Sequence, residues 1–289
     1  MHQIIEQLIK EMPVILDGAW GTELQAYGLK MDECPDEWNL THRESVEEVA
    51  RGYVAAGSHV ILTNTFGASR FMLERYNLAD KTVEINHAGA EISKSAAGGQ
   101  AAVFASIGPS GKMLSKGDVG EEELYEVFLE QAEALSSGGA DGIVIETMTD
   151  LAELSVAMRA AKSTGLTVAA SMVFDSGVKN ESVMTGITPE EAVAAMETEG
   201  IDIVATNCGR GIEEFLPICK RYRAVTDLPI WIKPNAGLPK MINGRAVYTM
   251  SPEEFAAYMP ALVEAGANFV GGCCGTNPEF IRAVVESLR

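Results

Sequence analysis

Ala265-Gly266-Ala267-Asn268-Phe269-Val270-Gly271-Gly272-Cys273-Cys274-Gly275 carries the pattern from which the fold is read. A helical stretch ends in a glycine, an apolar run follows, and small residues close it. Glycine just past a helix end permits the left-handed cap, and the next segment then starts a strand. The same passage recurs at Ala56-Gly57-Ser58 before His59-Val60-Ile61-Leu62 and at Gly138-Gly139-Ala140-Asp141 before Gly142-Ile143-Val144-Ile145. A fourth instance is Glu199-Gly200 before Ile201-Asp202-Ile203-Val204. These runs are continuous rather than alternating, which marks strands buried on both faces, as in parallel sheets.

Eight such runs are centred on Val14-Leu16, Val60-Thr63, Val103-Ile107, Ile143-Glu146, Val168-Val173, Ile203-Thr206, Ile230-Lys233 and Phe269-Gly272. Amphipathic stretches lie between them. Thr188-Pro189-Glu190-Glu191 and Ser251-Pro252-Glu253-Glu254 each combine a cap residue, a proline at the first helical position and an acid three residues on. Eight parallel strands alternating with helices over 289 residues predict an α/β fold, a single (β/α)8 TIM barrel spanning residues 1–289. A doubly wound sheet is the alternative and would have fewer strands. No Pro/Ser-rich linker or charge run divides the chain.

Composition narrows the function. Lys and Arg number 22 against 41 Asp and Glu, a net charge of -19. So acidic a surface repels phosphate backbones and anionic lipid, so neither nucleic acid nor a membrane is an expected partner. No apolar run reaches the about 20 residues that span a bilayer, and Met1 to Met12 carries two Glu and no long apolar core, unlike a signal peptide. A soluble, cytoplasmic protein is expected. The five cysteines (34, 208, 219, 273 and 274) are odd in number and lie in a long chain, which disfavours a disulfide framework.

In a barrel of this kind the active site lies at the carboxyl ends of the strands. Cys208 ends the sixth run, and Cys273-Cys274 end the eighth, between glycines. Brought to one face they offer three sulfur ligands. Three protein ligands with an open fourth position is how catalytic zinc is held. The plain alternative is three buried free cysteines, the ordinary fate of that residue. Other polar groups sit at further strand ends: Asp17-Gly18-Ala19 with Gly21-Thr22, Thr63-Asn64-Thr65-Phe66, Gly108-Pro109, Glu146-Thr147, and Lys233-Pro234-Asn235-Ala236-Gly237. None of the four histidines (2, 42, 59 and 87) falls at such an end, so no histidine base is expected there; His59 opens a strand at the opposite end. Cys219 reads as core, and Cys34 receives no role. Three thiolates without histidine suit the binding of a substrate thiol, because a thiol that coordinates zinc is deprotonated outright.

These residues resemble the homocysteine S-methyltransferase family, and in detail the homocysteine-binding barrel of cobalamin-dependent methionine synthase. The resemblance runs over nearly the whole chain, through the motifs above together with Asn207-Cys208, Pro234-Asn235-Ala236-Gly237-Leu238-Pro239 and Gly271-Gly272-Cys273-Cys274-Gly275-Thr276. It implies that Cys208, Cys273 and Cys274 bind Zn2+ and that homocysteine sulfur takes the open position, with no catalytic residue beyond the metal site. It places Asp17 and Glu146 near the substrate amino group. Its carboxylate would be received by backbone N–H groups of Gly18, Ala19 and Gly21 and of the Thr63-Asn64 region. Asn235 would approach the metal when substrate is absent.

Two departures shape what is expected. Leu62 stands where relatives often carry Glu or Gln, so a thiol acceptor other than homocysteine is an alternative. No Asp-x-His-x-x-Gly cobalamin loop occurs in the sequence. The methyl donor is therefore expected to come from elsewhere: a separate corrinoid protein or methylcobalamin, or a small molecule such as S-methylmethionine or betaine. Two further readings stay open. Lys233 and the glycines near the seventh and eighth strand ends would suit a Schiff-base or phosphate-binding barrel. A non-catalytic zinc- or thiol-binding subunit docking on a corrinoid partner is the other.

Overall fold

The computed structural model describes residues 2–177, 181–242 and 245–289. Its main sheet has eight strands: β1 (Val14–Ile15), β2 (Val60–Ile61), β3 (Ala102–Ile107), β4 (Gly142–Met148), β5 (Thr167–Met172), β6 (Ile203–Cys208), β7 (Ile230–Pro234) and β8 (Phe269–Val270). Their spatial order is β1-β8-β7-β6-β5-β4-β3-β2, and every neighbouring pair is parallel. A parallel bridge between Leu16 and Val60 joins the two ends of that order. The sheet is therefore closed as a (β/α)8 barrel, which excludes the doubly wound alternative. All eight predicted apolar runs are strands of this barrel.

The glycine punctuation behaves as expected from its lack of a Cβ. Gly57, Gly139, Gly200 and Gly266 all have positive φ at the turn into the following strand. Thr188 and Ser251 both make the full capping box, with the acid three residues on returning a bond to the cap. Gly271 and Gly272 serve another purpose: a Cβ on Gly271 would lie 2.5 Å from the Leu16 Cβ, and one on Gly272 2.5 Å from Thr276. Only glycine lets β8 approach β1 and the turn after it so closely.

The barrel interior is filled in layers. Towards the amino ends of the strands, Trp231 stacks on Phe269 and meets Phe104 at a tilt, with centroids 5.5 and 5.6 Å apart. Val14, Val144 and Ile203 belong to the same apolar cluster, as does Ile5 of the N-terminal helix Gln3–Leu8. The opposite end is polar. A small antiparallel pair, Lys240–Ile242 with Arg245–Val247, follows β7 on that side. Among the described residues no helix is long and apolar enough to cross a membrane.

Candidate metal centre

Cys208 closes β6, while Cys273 and Cys274 follow β8. The structure brings them together: Cys208 Sγ lies 3.3 Å from Cys273 Sγ, and all three sulfurs lie within 4.8 Å of one another. Zinc–sulfur bonds of about 2.3 Å at tetrahedral angles separate sulfurs by roughly 3.8 Å, so the spacing suits a shared ion. The electrostatics agree. Hydrogen bonds from Cys208 and Cys273 pull the Cys274 thiol down to about 3. Hydrogen bonds with Cys273 and Cys274, together with burial, push Cys208 well above the usual thiol range. A bound cation is what would allow three adjacent thiols all to ionise. No fourth His, Cys, Asp or Glu joins the group among the described residues.

Local backbone strain aims these groups. Cys208 and Thr147 have φ of 63° and 64°, the left-handed region that costs a non-glycine residue energy. Thr147 sits where β4 carries one more residue than β5 between their paired positions, a bulge that re-aims the strand end. Asn207 ties the arrangement together. Its Oδ1 accepts from Thr147 N (2.8 Å) and Ser171 Oγ (2.6 Å), and its Nδ2 donates to Glu146 Oε2 (3.1 Å) and Thr147 Oγ1 (2.8 Å). Thr276 Oγ1 donates to the Cys273 carbonyl and accepts from Ala19 N, joining the β1 loop to the thiol pair.

The thiols open into a cavity of about 550 Å³ lined by Gly18, Ala19, Gly21, Thr63, Asn64, Glu146, Thr147 and Lys233, among others. A groove of comparable size between outer helices, near Arg70 and Glu130, has only helix-surface side chains and no convergent chemistry. Glu146 is buried; its Oε1 accepts from Ser106 Oγ. Burial, partly offset by Lys233, raises its pKa to about 7.

Asp17, which the resemblance puts near the substrate amino group, is engaged by the chain's own groups. It does not line the cavity; its Oδ2 accepts from Leu62 N (2.7 Å) and Trp20 Nε1 (2.8 Å), and its Oδ1 lies 2.8 Å from Lys233 Nζ. Asn235 donates to the Gly209 carbonyl (2.7 Å) and accepts from Cys274 N (3.0 Å), bolting the two cysteine loops to each other. The Asn64 amide is turned away to the Pro35 carbonyl and Asn39. Cys219 is core, as expected, with its thiol directed to the Leu262 carbonyl. None of the histidines lines the cavity; His59 accepts from Ile15 N at the far end.

Several site residues carry no role in the sequence-level prediction. Asn207, Ser106, Asp36 and Tyr248 are among them. Burial raises the pKa of Tyr248, which lies close enough to Cys274 for the thiol to raise it further, and its ring lies against Gly275, where a Cβ would come within 2.2 Å. Asp36 lines the cavity wall, accepts from Gly67 N (3.0 Å), and is pushed up to about 7 by burial. Lys233, the Schiff-base candidate, is an ammonium. Burial works against its charge, but Asp17, Glu146 and Cys273 outweigh burial and raise its pKa. A protonated, ion-paired lysine is not a carbonyl nucleophile.

The profile of the homocysteine S-methyltransferase family matches residues 14–288. The chain belongs to this family. It is 29% identical over 297 residues to the methionine synthase of Mycobacterium tuberculosis, covering 97% of this chain and 25% of that protein. It is 30% identical over 306 residues to the methionine synthase of Mycobacterium leprae, covering 99% and 25%. The chain thus spans about a quarter of the length of these relatives. The metallated form of the homocysteine methyltransferase MmuM from Escherichia coli superposes with a TM-score of 0.80 at 23% identity, covering 97% of this chain and 98% of that one. At that identity the likeness establishes the barrel.

Proposed function

We propose that this member of the family is a zinc-dependent S-methyltransferase that converts homocysteine to methionine. The observation that carries the reading is the cluster of Cys208, Cys273 and Cys274, with no fourth protein ligand among the described residues, lining a cavity of substrate size. Those three residues would hold the metal. Bound zinc lowers the pKa of a thiol that joins it, so the acceptor is presented as a nucleophile at neutral pH without a histidine base.

The chain's own groups supply binding and orientation. Glu146, fixed by Ser106 and Asn207, would hold the acceptor's amino group, and an arriving ammonium would favour its ionised form. Gly18, Gly21, Thr63 and Asn64 border the same cavity, and their backbone N–H groups would receive the carboxylate; the Ala19 N–H is already taken by Thr276 Oγ1. Asn207 and Asn235 keep the cysteine loops in position. A sulfur lone pair forms the new S–CH3 bond as the donor–methyl bond breaks and its electrons leave with the donor. The acceptor's thiol proton passes to solvent. The methyl group would come from a separate corrinoid protein or methylcobalamin, or from a small methylated donor.

The test is methionine formation by the zinc-loaded chain with homocysteine and, in separate reactions, methylcobalamin, S-methylmethionine and betaine. Methionine from at least one donor, abolished in Cys273→Ser, is the expected result. Thiol binding without turnover from any of them would favour the non-catalytic docking subunit instead.

A further inference from the structure

Lys233 lies two residues beyond Trp231 on β7, so its side chain follows the tryptophan into the barrel interior. It is 2% exposed, donates to the Gly18 carbonyl at 3.0 Å and lies 2.8 Å from Asp17 Oδ1. A lysine ammonium carries three N–H donors. Among the described residues the Gly18 carbonyl accepts its hydrogen bond and the Asp17 contact is an ion pair, so donor capacity is left over, and the residue lines the cavity that holds the cysteines.

Asp17, by contrast, is turned to the chain's own groups. Leu62 N and Trp20 Nε1 occupy one oxygen, Lys233 faces the other, and the residue does not border the cavity. One of the two carboxylates that the family resemblance assigns to the acceptor's amino group is therefore already neutralised by the chain's own ammonium. Leu62 adds an apolar wall beside it. Glu146 remains for the amino group, in the field of the same lysine. An anionic group on the acceptor meets the opposite situation, a fixed, buried cation with an unused donor. Charge-assisted hydrogen bonds of that kind are the strong ones.

We infer that the cavity selects its thiol by the acceptor's anionic end, with Lys233 as the specificity-determining residue, and that mercapto acids lacking an α-amino group are ligands of the same site. The inference rests on the proposed role of the three cysteines in receiving a thiol. Homocysteine is one member of this class. Its des-amino analogue, 4-mercaptobutyrate, keeps the spacing between sulfur and carboxylate. The decarboxylated analogue, 3-aminopropanethiol, keeps the spacing between sulfur and nitrogen.

Calorimetric titration of the zinc-loaded full chain with the three thiols tests the inference without needing a methyl donor. We expect 4-mercaptobutyrate to bind within about tenfold of homocysteine, and 3-aminopropanethiol about a hundredfold more weakly, the scale of one lost hydrogen bond to a buried charge. Lys233→Met should weaken both acids by a similar factor and leave the amine unchanged. That variant strands Asp17 as an unpaired buried charge, so Lys233→Met/Asp17→Asn is the companion that keeps the interior neutral, with the same expected ranking. Binding of 3-aminopropanethiol as tight as homocysteine, with 4-mercaptobutyrate failing, would overturn the inference and leave the proposed function standing. Equal affinity for all three would overturn it as well. Silence towards all three thiols would overturn the proposed function together with it.

Discussion

The two ends of this barrel are built on the same strands and do opposite things. Trp231 and Lys233 are two residues apart on β7, as are Phe104 and Ser106 on β3, Val144 and Glu146 on β4, and Ala205 and Asn207 on β6. A period of two returns a side chain to the same face of a strand, so each pair points inward, one layer above the other. The lower layer is apolar and aromatic. The upper layer holds Asp17, Lys233, Glu146 and Asn207, all buried, and the three half-buried cysteines. Stability belongs to the first and chemistry to the second, and a displacement of two residues along a strand separates them.

The comparison breaks most readily in the aromatic layer. Trp231→Ala should remove about 3–5 kcal/mol of unfolding free energy, since it leaves a large cavity among Phe104 and Phe269. Metal stoichiometry of the protein that remains folded should be unchanged. Urea unfolding followed by fluorescence, with zinc analysis of the folded fraction, checks both halves of that statement.

Asp36 sharpens the comparison from the rim of the upper layer. Its folded pKa of about 7 lies above its ordinary value of 3.8 because of burial. The stability it contributes is therefore fully present below about pH 4 and is lost as pH rises through about 7. Asp36→Asn retains an acceptor for Gly67 N and has no such titration. Relative to wild type, the variant should gain on the order of a few kcal/mol between pH 4 and pH 8. Parallel unfolding curves for the two proteins across that range would contradict the assignment.

The smallest effect is expected at Cys219, a buried thiol outside the upper layer. Cys219→Ser should leave bound zinc at the wild-type level. A fall in zinc would mean that the separation between structural and metal-binding cysteines is drawn in the wrong place.

Most of the frame was legible in the sequence because each of its signals is local. A strand buried on both faces leaves a continuous apolar run, and a helix end leaves a glycine. Both are visible without knowing what lies across the barrel. The cysteine cluster was legible one step further, because any strand ends of a closed barrel converge on one face. What escaped depends on pairings between distant segments. The Lys233–Asp17 contact requires β1 and β7 to flank β8, a strand of two paired residues. Tyr248 reaches Cys274 from beyond a hairpin, and Asp36 meets Gly67 across two loops. The left-handed backbone of Cys208 has no signal in residue type at all, since tertiary packing imposes it against local preference.

The central claim is that Cys208, Cys273 and Cys274 hold zinc with one position open to a thiol. X-ray absorption at the zinc edge, recorded on the purified chain with and without saturating homocysteine, measures it directly. We expect three sulfurs at about 2.3 Å without the thiol and four with it, and loss of bound zinc in Cys273→Ser. A three-sulfur shell that homocysteine leaves unchanged, or normal zinc in the variant, would contradict the account.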